Sequence, residues 1–335
     1  MIRRISAVIL TVAMLALGML LCLAGCGQSN AMIMVGLALS AGQEGDRTGE
    51  LLQSALEESG HSVELACAQT SQEQTEQLGN LMKDGASVLV VQSVDSVAVE
   101  NLFNDPKNDV SDLTVIACGA PIAADCVKAY VGPDLYDAAR QQAEQVVKEL
   151  NLNEPERSYT VELVAGNGAE RAVAGAMEVL QPYVDKGTVT ISAGSDVESC
   201  HTEDPVARIA QLCKGTYAEQ ELDAVLCLGE GQVTQVIEAL KENYLGAAWP
   251  VVTGYGCDEE IVGCLASKML TMTAYPEELT TEQLTELVTA AIAATEEERQ
   301  DTVIPCSAVT RGNYKKLLIK SGLYTKNKDG SYTKN

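Results

Sequence analysis

The chain has 335 residues, 46% of them apolar, and a formal net charge of −24. That length is enough for two domains with filled cores, while so large an acidic excess repels nucleic acid and leaves no basic patch to bind it. His61 and His201 are the only histidines and no G-x-S-x-G occurs, so no nucleophile with a base beside it is recognisable. The chain is not read as an enzyme, and no catalytic residue or cofactor is assigned.

Met1 to Arg4 is basic, Ile5 to Leu23 is apolar, and Leu23-Ala24-Gly25-Cys26 follows with small residues before the cysteine. This order predicts a signal peptide over 1–25. The four-residue ending resembles a bacterial lipobox, in which Cys26 carries the lipid and 26–31 is a short tether. An uncleaved anchor is the alternative, since about 20 apolar residues can cross a bilayer. Both place the body outside the cytoplasm, held at the bacterial cell membrane.

Eleven cysteines are present, and setting Cys22 and Cys26 aside leaves an odd number, so complete pairing within one chain is impossible. Cys118, Cys213, Cys227 and Cys264 sit in apolar periodic runs and read as small buried hydrophobes. Cys200-His201 with Glu203 and Asp204 is the one metal candidate. It reads instead as a solvated loop before a helix, because adjacent residues rarely converge on one ion, and no metal is assigned.

In chain order, Met34 to Leu39 is a strand, Ser40 to Asp46 a Gly-rich loop, and Leu51, Leu52, Ala55 and Leu56 one face of a helix closed by Gly60. A strand over His61–Ala66, a helix over Glu73–Lys83 and the continuous apolar strand Ser87–Val91 imply parallel pairing. A helix around Val97–Phe103 leads to the strands Leu113–Ala117 and Tyr130–Asp134, where Pro133 breaks the run. The scheme then begins again with the strand Tyr159–Val164, the loop Ala165–Gly168, the helix Arg171–Val184 and the strand Thr188–Ser192.

From Asp223 to Tyr275 the chain alternates strand, loop and helix. Leu222 to Leu228 is apolar and ends in Gly229-Glu230-Gly231, with Val233, Val236, Ile237 and Leu240 following at helical spacing. Val251 to Gly256 repeats the unit, Ile261, Val262 and Leu265 mark the next helix, and Met269–Ala274 is a strand stopping at Tyr275-Pro276. A helix over Thr280–Ala294, a crossing at Thr302–Pro305 and a helix over Asn313–Ser321 follow. Lys326–Asn335 reads as a polar, mobile tail.

The fold class is therefore α/β, with two similar αβα lobes, parallel sheets and a three-strand hinge near Gly132, Tyr275 and Pro305. The first lobe takes 32–131 plus 276–304, and the second takes 132–275 plus 305–335. Loops at the carboxyl ends of such strands are where ligands bind. Arg47 and Arg171 each stand in the first turn of a helix, where the helix dipole opposes a cation. Each therefore needs either a ligand or an ion-pair partner such as Asp46, Glu50 or Glu170.

The order of elements, together with Met177–Gly187, Leu222–Val225, Thr271–Tyr275 and Asn313–Tyr324, resembles the sugar-binding type I periplasmic binding proteins, particularly the xylose-binding and multiple-sugar-binding branch. The resemblance covers roughly Met32 to Thr325. It implies a small polar solute, a sugar or another oxygen-rich molecule, and a partner that is an ABC transporter permease or a membrane sensor. It also implies a departure in the pocket. Relatives carry an aromatic-Asp-Arg triplet where this chain has Cys118-Gly119-Ala120. Their Asn-Asp appears as Gly229-Glu230, their Gln-Asp as Tyr255-Gly256, and their Glu-Arg-Trp as Asp46-Arg47-Thr48.

Candidate ligand contacts are Arg47, Asp134, Asn167, Arg171, Glu230, Tyr255 and Tyr275. Two functions are carried forward. One is a lipid-anchored solute-binding protein of a transporter, and the other is a sensory or structural envelope lipoprotein that kept the fold without transport.

Overall fold

Val88–Val91 is apolar at every position, a pattern that suits a strand covered on both faces of a parallel sheet. All four residues are buried. Val88 and Val90 face one core with Leu37, Leu52, Leu56 and Val288, while Leu89 and Val91 face another with Leu78, Leu81, Val99 and Phe103. Alternation thus survives inside an unbroken apolar run, because successive side chains point to opposite faces.

This computed structural model describes residues 33–166, 169–191, 200–202, 204–229 and 231–335. The first lobe is built from Met34–Ser40 (β1), Gln43–Glu58 (α1), Ser62–Ala68 (β2), Ser71–Lys83 (α2), Val88–Val91 (β3), Ser96–Asn104 (α3), Thr114–Cys118 (β4) and Val127–Pro133 (β5). The second begins with Leu135–Glu149 (α4), Tyr159–Val164 (β6), Glu170–Asp185 (α5), Val189–Ile191 (β7) and Pro205–Lys214 (α6). It continues through Ala224–Cys227 (β8), Gln232–Asn243 (α7), Val251–Tyr255 (β9), Glu259–Ala266 (α8) and Met272–Pro276 (β10). Thr281–Ala293 (α9), Thr302–Ile304 (β11), Cys306–Thr310 (β12), Tyr324–Lys326 (β13) and Tyr332–Lys334 (β14) follow, with a 3-10 turn at Thr216–Ala218 and a short π-helix at Lys315–Ile319.

Among the described residues one sheet runs β11-β5-β4-β3-β1-β2, a second β12-β10-β9-β8-β6-β7, and β13 pairs with β14 alone. Pairing is parallel throughout both large sheets except between β10 and β12. The strand order reverses beside β1 in one sheet and beside β6 in the other, and such switch points open a crevice at the carboxyl ends.

Three crossings join the sheets, after β5, after β10 and between β11 and β12. Pro133, Pro276 and Pro305 mark them, and they brace one another, since Asp134 N donates to Ile304 O at 2.8 Å and Glu277 N to Pro305 O at 2.9 Å. The Tyr130 hydroxyl donates to Gly119 O at 2.9 Å and Pro133 O at 3.2 Å, tying the loop after β4 to the first crossing. Gly132 is required beneath that ring, because a Cβ there would lie 2.4 Å from the tyrosine oxygen.

Helix α4 has no stripe of large apolar residues, so hydrophobic periodicity passes over it. Its buried face is Ala138, Ala139, Gln142, Ala143, Val146 and Val147. Small residues let it lie close against α5, and a Cβ on Gly175 would meet Tyr136 O at 2.1 Å.

Two expectations are corrected. Cys200, read as part of a solvated loop, is buried. Ala165 N donates to Cys200 O at 3.0 Å and Thr202 N to Ala165 O at 2.9 Å, so the segment pairs beside the end of β6. Glu203 lies outside the described residues, and among those described no group of three His, Cys, Asp or Glu converges on a metal position. Nor do the described residues include a helix long and apolar enough to cross a membrane. Of the cysteines read as buried, Cys118, Cys213 and Cys227 are, while Cys264 is half-buried.

The second correction is the tail, which forms the β13–β14 hairpin instead of a mobile end. Tyr324 and Tyr332 are buried against the core of the second lobe, and the Tyr324 hydroxyl donates to Cys257 O at 2.8 Å. Two aromatic rings outweigh the polar composition around them. The hairpin also reaches the second crossing, where Lys334 Nζ lies 2.7 Å from Glu278 Oε1 and the Tyr275 hydroxyl donates to the same carboxylate.

Burial works against the Glu278 charge, but the hydrogen bonds from Lys334 and Tyr275 outweigh it and hold the carboxyl below the usual glutamate value. A depressed carboxyl contributes stability above its unfolded pKa, about 4.3, and that contribution is lost as pH falls through the lowered value. Acid titration followed by NMR should therefore show the Tyr332 ring loosening at the low end, with no such step in Glu278→Gln. An identical step in the variant would assign the transition to another group.

Candidate ligand-binding cleft

The carboxyl ends of the two sheets face each other across a cleft of about 600 Å³, within the roughly 300–1,000 Å³ usual for small-molecule sites. The first lobe contributes Ser93 to Ser96 after β3 and Gly119 to Pro121 after β4. The second contributes Gly166, Ala169 and Ala172 around the start of α5, Gly229 and Gln232 at the start of α7, and Tyr255 at the end of β9. Each loop is there because its strand ends there, and solvent reaches it, Asp95 and Gly119 being exposed.

A buried amide shapes the first wall. Gln74 on α2 is fully buried, and its Nε2 donates to Gln92 O at 2.9 Å while its Oε1 accepts from Val94 N at 2.7 Å. The loop carrying Ser93 is thereby gripped on both sides. Asp95 Oδ1 accepts from Val97 N at 3.1 Å and Ala98 N at 3.3 Å, capping α3.

On the opposite wall Gln232 is 7% exposed and its Oε1 accepts from Gly229 N at 3.0 Å. Tyr255 is buried on Ala138, Met272 and Ala274. Cys118, which precedes Gly119, is buried behind the cleft, and burial pushes its thiol up to about 12, so it stays neutral and protonated. Asp95 is the one charged side chain among the described lining residues, and no cation is among them. The arrangement can hydrogen-bond an uncharged solute from both lobes at once.

The model of the periplasmic binding protein domain matches residues 38–296. The chain belongs to the periplasmic binding protein family. Among relatives of this binding protein, the multiple sugar-binding periplasmic receptor ChvE of Rhizobium radiobacter is 26% identical over 279 residues, covering 75% of this chain and 78% of that one. The D-xylose-binding periplasmic protein of Escherichia coli K12 is 22% identical over 267 residues, with the same 75% and 78% coverage. Among solved structures, an ABC transporter solute binding protein from Clostridium phytofermentans with bound beta-D-glucose superposes with a TM-score of 0.67 at 27% identity. That superposition covers 89% of this chain and 99% of the other.

Of the residues the sequence of this binding protein singles out, Tyr255 lines the cleft. Arg171, in the first turn of α5, has Nη1 2.5 Å from Asp301 Oδ2, and Asp301 Oδ1 accepts from Tyr130 N at 3.0 Å. Its guanidinium thus joins the second lobe to the edge of the first beside the hinge, with a partner other than the expected Glu170. Arg47 lies one turn deeper in its helix than the sequence suggests, because α1 starts at Gln43, and it pairs with Glu282 of α9 at 3.1 Å.

Asp134 accepts from Asp137 N at 3.0 Å as the cap of α4. Tyr275 lines a separate cavity of about 380 Å³ at the hinge, shared with Pro133, Pro276, Ile304 and Lys334. Asn167, Glu230 and Cys26 lie outside the described residues.

Ser93, Asp95 and Gln232 are wall residues that the sequence reading passes over. The first two had a signal, since they follow a fully buried parallel strand and such loops line the crevice. Gln232 had none, because only its fold back over Gly229 puts it in the wall.

Proposed function

We propose that this is an extracytoplasmic, lipid-anchored solute-binding protein, the substrate-binding component of a sugar-type ABC transporter. The observation that carries the proposal is the cleft itself: two sheets present their carboxyl ends to one space of about 600 Å³, whose described lining is neutral apart from Asp95 and which is flanked by three crossings. Relatives named as sugar-binding support the solute class. Cys26, following the apolar leader, is the proposed lipid site, with 32–131 plus 276–304 and 132–275 plus 305–335 as the lobes that close on the ligand.

Closure about the crossings near Gly132, Tyr275 and Pro305 would complete the site and create the surface that docks on the permease. The cleft lacks the aromatic stack and the arginine of relatives at Cys118-Gly119-Ala120, so the solute is one that neutral groups can hold. That same loss favours the second reading, a membrane sensor or envelope lipoprotein without transport, and solute uptake in a deletion strain separates the two.

The direct test is calorimetry on the chain beginning at Gly27 with D-glucose, D-xylose, D-arabinose and myo-inositol. One of them should give a saturable heat and a smaller radius of gyration. At 100 times its dissociation constant it should add about 2.7 kcal/mol to stability. No heat and an unchanged radius with all four would sink the sugar-type reading. Mass spectrometry of the mature amino terminus decides the anchor, and an intact Met1 would remove it.

A further inference from the structure

We infer that Ser93 and Gln232, facing the cleft from opposite lobes, are the pair that reads the solute and sets its class as one bearing uncharged oxygens. This rests on the reading of the cleft as the solute site.

The Gln232 carboxamide is held in one orientation. Its oxygen takes Gly229 N at 3.0 Å, which leaves the NH₂ as the free end, and Nε2 has no hydrogen-bond partner among the described residues. Two glycines make room for it. A Cβ on Gly229 would lie 2.8 Å from Gln232 Cδ and Oε1, and one on Gly166 would lie 3.3 Å from Nε2. The side chain of residue 232 therefore fills the space that a side chain at 229 would need, and brings an amide donor to a wall where position 229 supplies none. Gln232 as a residue is 7% exposed, so a ligand bonded to its amide end is held at a largely dehydrated wall, where a hydrogen bond discriminates most.

Across the cleft, the Ser93 hydroxyl is buried with no hydrogen-bond partner among the described residues. A buried, unpaired hydroxyl costs stability and persists where something else uses it. The loop has little freedom to turn it away, because Gln74 grips Gln92 O and Val94 N on either side. A hydroxyl held this way is preorganised for a ligand oxygen. A neutral amide donor and a neutral hydroxyl, with Asp95 in the same wall and no described cation, suit hydroxyl or carbonyl oxygens and disfavour carboxylate or phosphate.

The test uses the chain from Gly27, the four probes D-glucose, D-xylose, D-arabinose and myo-inositol, and two variants. Gln232→Glu keeps an acceptor for Gly229 N and removes the donor. Ser93→Ala removes the hydroxyl. Each should weaken binding of whichever probe the wild type takes by about tenfold or more. Gln232→Glu puts a carboxylate at a largely buried position and should melt somewhat lower, so its affinity is read well below its melting temperature, while Ser93→Ala should match or exceed the wild-type value.

Wild-type affinity in both variants would overturn the assignment while leaving the binding function intact. Absence of binding by the wild type to any probe would instead remove the sugar-type reading, and the Ser93→Ala melting temperature then decides the residue assignment. A fall shows a hydroxyl satisfied within the fold and overturns it, while an unchanged or raised value supports a hydroxyl kept for a ligand.

Discussion

Gly175→Ala should melt well below the wild-type protein. The added Cβ would sit 2.1 Å from Tyr136 O, 2.9 Å from its carbonyl carbon and 3.1 Å from its Cα, and all three are backbone atoms of α4. A flexible side chain can turn aside, but a helix backbone yields only by moving the whole helix, so overpacking at this contact should cost about 1–3 kcal/mol or more. The gain in helix propensity on replacing glycine, about 1 kcal/mol, acts the other way and does not offset it.

Gly79→Ala on α2 is the matched control. Nothing lies within 4 Å of its added Cβ, so that variant should be stabilised by about 0.4–1 kcal/mol. Because α4 carries Leu135 and α5 carries Ala172, both in the cleft wall, Gly175→Ala should also weaken ligand binding. Equal melting temperatures for Gly175→Ala and wild type would mean that the two helices are not in close contact in solution.

Asp223→Ala should destabilise the second lobe by about 1.5–3 kcal/mol, the range for losing hydrogen bonds to a charged group. The carboxylate has 8% of its side chain exposed and is gripped as a fork, with Arg157 Nη1 3.0 Å from Oδ2 and Nη2 2.5 Å from Oδ1. It also accepts from Thr160 N at 2.8 Å at the start of β6. Arg157 is fixed in turn by lying over the Tyr159 ring at 4.5 Å, and its hydrogen bonds to Asp223 raise its pKa.

A two-pronged pair of this kind couples strongly. The double variant with Arg157→Ala should therefore cost clearly less than the sum of the single changes. Strict additivity would show that the fork contributes nothing beyond two independent positions. Asp223→Asn, which keeps an acceptor for Thr160 N, should fall between wild type and alanine.

Local pattern determined most of the alternation of strands and helices and the two repeated halves, but not α4, whose buried face is mostly alanine. Val88–Val91 and Ala224–Cys227 are short apolar runs, a pattern that suits a strand covered on both faces. Only the tertiary structure decided who partners whom. Arg171 meets Asp301 across 130 residues of sequence, Gln74 holds the loop of Ser93 from another helix, Gln232 folds back over Gly229, and the last tyrosines pin a tail whose composition reads as mobile. Periodicity records which face of an element turns inward. The partner that a polar or aromatic side chain finds depends on which other elements packing brings within hydrogen-bond reach, and no window of sequence contains that.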